Sequence, residues 1–213
     1  DGSSKPKRLI HSKNSQSPSS FSPDGKRLAF MEFTEENRWD IWTLPLAGDD
    51  SDDPRPGKPE LFLRTRFAEY RPAFSPDGRW LAYTSNESGS FEVYVQPFPH
   101  GGVKWQVSSA GGGAPVWSRT RPELLYLMPD NRIMAVTYSA KGDAFIPETR
   151  RVWSDKRLAP VRAWWNFDLA PDGNRVVALM PPPGEEQDKP QTRLTFLLNF
   201  FDELRRRVPA GGK

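Results

Sequence analysis

One ten-residue segment constrains this chain more than any other feature. Phe21-Ser22-Pro23-Asp24-Gly25-Lys26-Arg27-Leu28-Ala29-Phe30 returns as Phe74-Ser75-Pro76-Asp77-Gly78-Arg79-Trp80-Leu81-Ala82-Tyr83. Trp117-Ser118-Arg119-Thr120-Arg121-Pro122-Glu123-Leu124-Leu125-Tyr126 is a decayed copy, and Leu169-Ala170-Pro171-Asp172-Gly173-Asn174-Arg175-Val176-Val177-Ala178 is a fourth. Anchored on the residue before the Pro-Asp-Gly slot, the copies lie 53, 43 and 52 residues apart. A repeat of that length has room for several short strands, which is the mark of propeller blades.

Each copy has the chemistry of a hairpin turn. Proline presets the first turn torsion, the carboxylates of Asp24, Asp77 and Asp172 cap the turn, and Gly25, Gly78 and Gly173 take the positive-φ position. The strand after the turn is apolar on both faces, as a strand sandwiched between neighbours should be. With 16 glycines and 22 prolines in 213 residues, a long-helix bundle is excluded. No apolar run approaches the ~20 residues of a membrane-spanning helix. The amino-terminal stretch shows no signal-peptide pattern.

The expected fold is all-β: a β-propeller of four blades, each of four antiparallel strands, in a single domain over residues 1–213. The blades fall at about 15–66, 67–110, 111–155 and 163–200, with a tail over 201–213. In the second blade the strands are read as 71–74, 80–85, 91–96 and 103–108. In the last they are 167–170, 175–180 and 194–199, with no fourth strand following. Residues 8–11 read as the outermost strand of a preceding blade, so they could complete the last blade and close the ring without exposed edges. The alternative is half of a larger propeller completed by a second chain. The protein is then a monomer or a strand-exchanged homodimer.

The Ser-Pro-Asp-Gly-(Lys/Arg) hairpin with its Leu-Ala-(Phe/Tyr) strand resembles the WD-like repeat of the TolB-type β-propellers. Asp40-Ile41-Trp42-Thr43-Leu44 looks like that repeat's third strand. The closing Thr195–Leu204 segment resembles the end of propellers appended to bacterial serine/threonine kinases, although no kinase motif occurs in the chain. The resemblance implies a fold, an extracytoplasmic setting and a binding role; its matching residues are turn and core residues.

Little in the chain suggests catalysis. There is no cysteine, and the only two histidines, His11 and His100, share no metal-ligand spacing. The acidic loop 49–54 lacks the oxygen spacing of a calcium site. Gly111-Gly112-Gly113 lacks the Lys-Ser/Thr of a phosphate loop and reads as a strand connection. No metal or cofactor is therefore expected. Net charge is only +3, and it is spread too thinly to argue for nucleic acid.

What remains is the surface where the innermost strands begin, because function is grafted onto such loops. The repeat places Gln16, Glu69, Gly112 and Trp164 there, with Tyr70, Arg71, Trp165 and Asn166 beside them. Loops between second and third strands add Glu36, Asn37, Arg38 and Trp39, then Asn86 and Glu87. Trp, Tyr and Arg are the residue types that anchor interfaces. The ligand-binding set is thus Gln16, Trp39, Glu69, Tyr70, Arg71, Trp164, Trp165 and Asn166, and the expected ligand is a protein or peptide. An accessory or sensor domain of a kinase and a metal-dependent propeller enzyme are the alternatives.

Overall fold

The computed structural model describes residues 8–47, 55–160 and 166–182. The chain divides into two compact units at Pro181, and described residues 8–181 belong to the first. That unit is built from strands and turns, with no helix among the described residues.

Three of its sheets are complete blades. The first orders β1 (Gln16–Phe21), β2 (Arg27–Thr34) and β3 (Arg38–Ala47) antiparallel. Its outer position is shared by two short strands, β4 (Arg55–Pro56) and β5 (Glu60–Leu63), which both pair with β3. The second blade runs β6 (Glu69–Phe74), β7 (Trp80–Ser85), β8 (Glu92–Pro97), β9 (Trp105–Gln106). The third runs β10 (Gly113–Trp117), β11 (Glu123–Leu127), β12 (Ile133–Lys141), β13 (Ala144–Ser154). A fourth sheet pairs β14 (Phe167–Leu169) with β15 (Val176–Ala178).

The repeated turns form as their residues dictate. Gly25, Gly78 and Gly173 stand at φ 69°, 70° and 69°, a region a side chain enters only at a cost. Asp24 Oδ1 accepts hydrogen bonds from Ser22 Oγ at 2.6 Å and the Lys26 amide at 3.0 Å. Asp77 repeats the pattern with Ser75 and Arg79, and Asp172 accepts from the Asn174 amide at 2.9 Å. One further bond aligns all four copies: Ser22, Ser75, Ser118 and Ala170 each donate their amide to the carbonyl five residues on. The third copy keeps the hairpin without Pro-Asp-Gly. There Ser118 Oγ accepts the Arg121 amide at 3.2 Å, and Arg121 donates to the Gly173 carbonyl of the next turn at 2.9 Å.

The second strand of each complete blade divides its side chains between two cores. Along β7, Trp80 and Ala82 pack towards the third blade with Trp117, Leu124 and Tyr126, while Leu81 and Tyr83 pack towards the first with Ala29 and Ile41. Along β11, Leu124 and Tyr126 face one way and Leu125 and Leu127 the other. Burial on both faces explains why these strands read as continuous apolar runs. The β12–β13 hairpin also ties two blades together. Its Phe145 is buried among Trp80, Trp105, Trp117 and Tyr138, at ring-centroid distances of 4.9–6.3 Å.

One expectation is corrected. Residues 8–11 form no strand. Leu9 and Ile10 instead pack on the face of the first blade made by Leu28, Phe30, Leu44 and Leu46. An apolar dipeptide beside an uncovered apolar sheet face is stabilised by burial whether or not its backbone joins a ladder. The proposed partner strand 194–199, the tail 201–213 and the acidic loop 49–54 lie outside the described residues.

Candidate functional site

The four inner strands β1, β6, β10 and β14 line up by the turn alignment, so equivalent positions can be followed from blade to blade. Pro18, Arg71, Ala114 and Asn166 share one level; Ser20, Ala73, Val116 and Asp168 share another. The first three strands are bulged at the upper level: pairing shifts between Pro18 and Ser20, between Tyr70 and Ala73, and between Gly113 and Val116. At the bulge Arg71 and Ala114 adopt left-handed φ of 58° and 52°, a conformation uncommon for side-chain-bearing residues. Their amides are held by the preceding blade: Arg71 N donates to Met31 Sδ at 3.0 Å and Ala114 N to Thr84 Oγ1 at 3.2 Å. A bulge re-aims its side chain and opens local space.

That space is a cavity of about 500 Å³ lined from all four described sheets, by Ser19, by Arg71–Ala73, by Ala114–Val116 and by Asn166–Asp168 with Val177–Leu179. Its walls are mostly apolar. Burial pulls the Arg71 guanidinium down to about 9, which leaves it cationic at neutral pH. Asn166 is buried in the wall, and its amide group donates to the Ala159 carbonyl at 3.1 Å.

Beside the cavity an aromatic row crosses from the first blade to the second. Phe33 meets Trp39 edge-on at 5.4 Å, Trp39 reaches Tyr70 at 6.3 Å, and Tyr70 meets Phe91 edge-on at 5.6 Å. All four rings are half-buried. Burial raises the Tyr70 hydroxyl above its usual range, against the opposing charge of Arg38.

The site residues expected from sequence therefore separate. Trp39 and Tyr70 come together in the aromatic row, and Arg71 and Asn166 line the cavity. Gln16 is tied to Glu32 at 3.1 Å. Glu69 is fully buried, out of a ligand's reach. Its Oε1 accepts from Thr65 Oγ1 at 2.5 Å, its Oε2 has no hydrogen-bond partner, and burial pushes its carboxyl up to about 7. Asp40 nearby is also fully buried and raised by burial, with Arg64 Nε donating to it at 2.8 Å in opposition. Trp164 and Trp165 lie outside the described residues.

Among the loop residues, Asn86 Oδ1 accepts the Ala68 amide at 3.0 Å, and Glu87 pairs with Lys104. Gly112 leaves no room for a ligand: a Cβ there would stand 2.6 Å from Ser108 Oγ. Sequence reasoning missed Phe33, Phe91 and Asp168. For Asp168 a signal existed, because the repeat fills its level with Ser20, Ala73 and Val116. A lone charge at a small-residue position marks a departure from blade packing.

Successive antiparallel sheets, lined up on their inner strands and sandwiching double-sided cores, define the class: these are β-propeller blades. Comparison with known proteins shows what the chain is similar to. The chain is 37% identical over 70 residues to the Tol-Pal system protein TolB of Thioalkalivibrio sulfidiphilus, covering 33% of this chain and 15% of that protein. The structure of TolB from Acinetobacter baumannii matches 84% of this chain and 41% of its own, at 20% identity and TM-score 0.56. A putative TolB from Agrobacterium tumefaciens matches 66% and 52%, at 18% identity and TM-score 0.48. No family model matches. The fold of these blades resembles that of the Acinetobacter TolB. The chain spans less than half the length of the TolB proteins of Thioalkalivibrio and Acinetobacter.

Proposed function

We propose that this chain is a non-catalytic binding module whose ligand, a protein or peptide, docks where the inner strands begin. One observation carries the reading. The half-buried row Phe33–Trp39–Tyr70–Phe91 spans two blades and abuts, through Tyr70–Arg71, a cavity that holds a cation in apolar walls. Aromatic and arginine anchors next to a pocket are the usual make-up of an interaction hot spot. The Tol-Pal name of the Thioalkalivibrio relative makes a protein partner the first class to test. An accessory role beside a kinase would use the same surface.

The experiment is a display selection of random peptides on the immobilised chain, repeated on Trp39→Ala and Tyr70→Ala. Peptides enriched on the wild type that fail to bind either variant support the reading. Enrichment indifferent to both variants, or none, overturns it. Turnover of a panel of chromogenic esters and amides would overturn the non-catalytic part.

For ring size, the reading is closure within one chain, with completion by a second copy as the alternative. A solution mass of 24.2 kDa supports it, and a stable dimer favours completion by a second copy.

A further inference from the structure

The cavity between the inner strands is lined by residues of opposite charge, Arg71 and Asp168. Arg71 stands on β6 and Asp168 on β14, with the strand β10 and its apolar Ala114, Pro115 and Val116 between them in blade order. The remaining lining is chiefly apolar, from Pro72, Ala73 and Phe167 to the last strand. Asp168 is exposed, and its Oδ1 accepts the Leu169 amide at 2.8 Å, which fixes the carboxylate on the wall. Neither charge is repeated at the equivalent positions of the other inner strands, where Pro18, Ala114 and Asn166 stand for Arg71 and Ser20, Ala73 and Val116 for Asp168.

We propose that this cavity takes a short apolar peptide with both ends free, its carboxylate against Arg71 and its ammonium against Asp168. The inference rests on the peptide-binding reading and adds the recognition of both termini. A guanidinium has five donors and receives a carboxylate in bidentate fashion. A carboxylate on a partly apolar wall attracts an ammonium more strongly than one in open water. A volume of about 500 Å³ lies within the range of small-ligand sites, about 300–1,000 Å³. Apolar side chains suit the wall between the two charges. A longer chain would place internal amides, which are uncharged, against at least one of them.

The test is calorimetric titration of the full chain with the tripeptide Ala-Leu-Ala, its N-acetyl form and its C-terminal amide, on the wild type, Asp168→Asn and Arg71→Gln. The free tripeptide is expected to bind the wild type. Acetylation should weaken binding about three- to tenfold there and change nothing on Asp168→Asn. Amidation should do the same on the wild type and nothing on Arg71→Gln. Because Asp168 is exposed, its half of the cycle remains readable even if Arg71→Gln does not fold. Blocked peptides that bind as well as the free one overturn the recognition of termini and leave the peptide-binding reading standing. Failure of every form also overturns it, and the display selection, which needs no free ends, then decides the broader reading.

Discussion

The indole Nε1 of Trp117 donates a hydrogen bond to the backbone carbonyl of Ala73 at 2.9 Å, joining the inner strands of the second and third blades. The equivalent residues Phe21 and Phe74 have no such donor. Trp117→Phe keeps an aromatic ring against Tyr138 and Phe145 but removes the bond. A loss of about 1–3 kcal/mol is expected, read from the midpoint of a denaturant melt. An unchanged midpoint would show that the bond contributes nothing to the blade junction.

Glu69 gives the fold a pH dependence with a definite sign. Its carboxyl is raised from 4.5 to about 7, so between these values the folded state holds a proton that the unfolded state has released. Stability is therefore full below about 4.5, declines as pH rises towards about 7, and levels off above. Asp40, raised by burial and opposed by Arg64, acts in the same direction. Glu69→Gln should flatten the decline across that window. A melting profile as steep in the variant as in the wild type would contradict this account.

In the repeated turns the glycines should matter more than the aspartates. Gly78 stands at φ 70° with Pro23 Cδ 3.5 Å from where a Cβ would sit, so Gly78→Val is expected to cost more than about 1 kcal/mol. Asp77→Asn should cost less, because an amide oxygen can still accept from Ser75 and Arg79. Equal losses in parallel melts would argue against the turn assignment.

Gly112 tests space instead of torsion. A Cβ there would lie 2.6 and 2.8 Å from Ser108 atoms and 3.0 Å from Tyr126. Gly112→Ala should destabilise by about 1–3 kcal/mol through overpacking. Pairing it with Ser108→Gly should recover part of that loss, and no recovery would place the clash elsewhere.

The amino-terminal segment contributes by burial. Removing residues 1–12 strips Leu9 and Ile10 from Leu28, Phe30, Leu44 and Leu46 and deletes the Ser12–Glu32 bond of 2.6 Å. The truncated chain should melt earlier and aggregate more readily. A melt identical to that of the full chain would mean that the segment is an ordinary frayed end.

What the sequence determined by itself is local. Pro-Asp-Gly makes its turn through bonds between residues two to five apart, and a strand buried on both faces shows as an unbroken apolar run. Hence the strands of the second blade were legible to within two residues at each end. Tyr70 and Arg71 were legible because the repeat says where inner strands begin, and Trp39 because the turn between second and third strands reaches the same face. Tertiary structure decided the rest. Glu69 occupies the same repeat position as Gln16, and only the packing of the blades buries one fully and leaves the other half-buried. Leu9 and Ile10 had a strand-like pattern, yet hydrophobic burial is non-directional and took them onto a sheet face without a ladder. Arg71 and Asp168 are nearly a hundred residues apart, so no local signal pairs them. They share a cavity because side-chain cores stack the sheets side by side and bring the fourth inner strand to the space lined by the second.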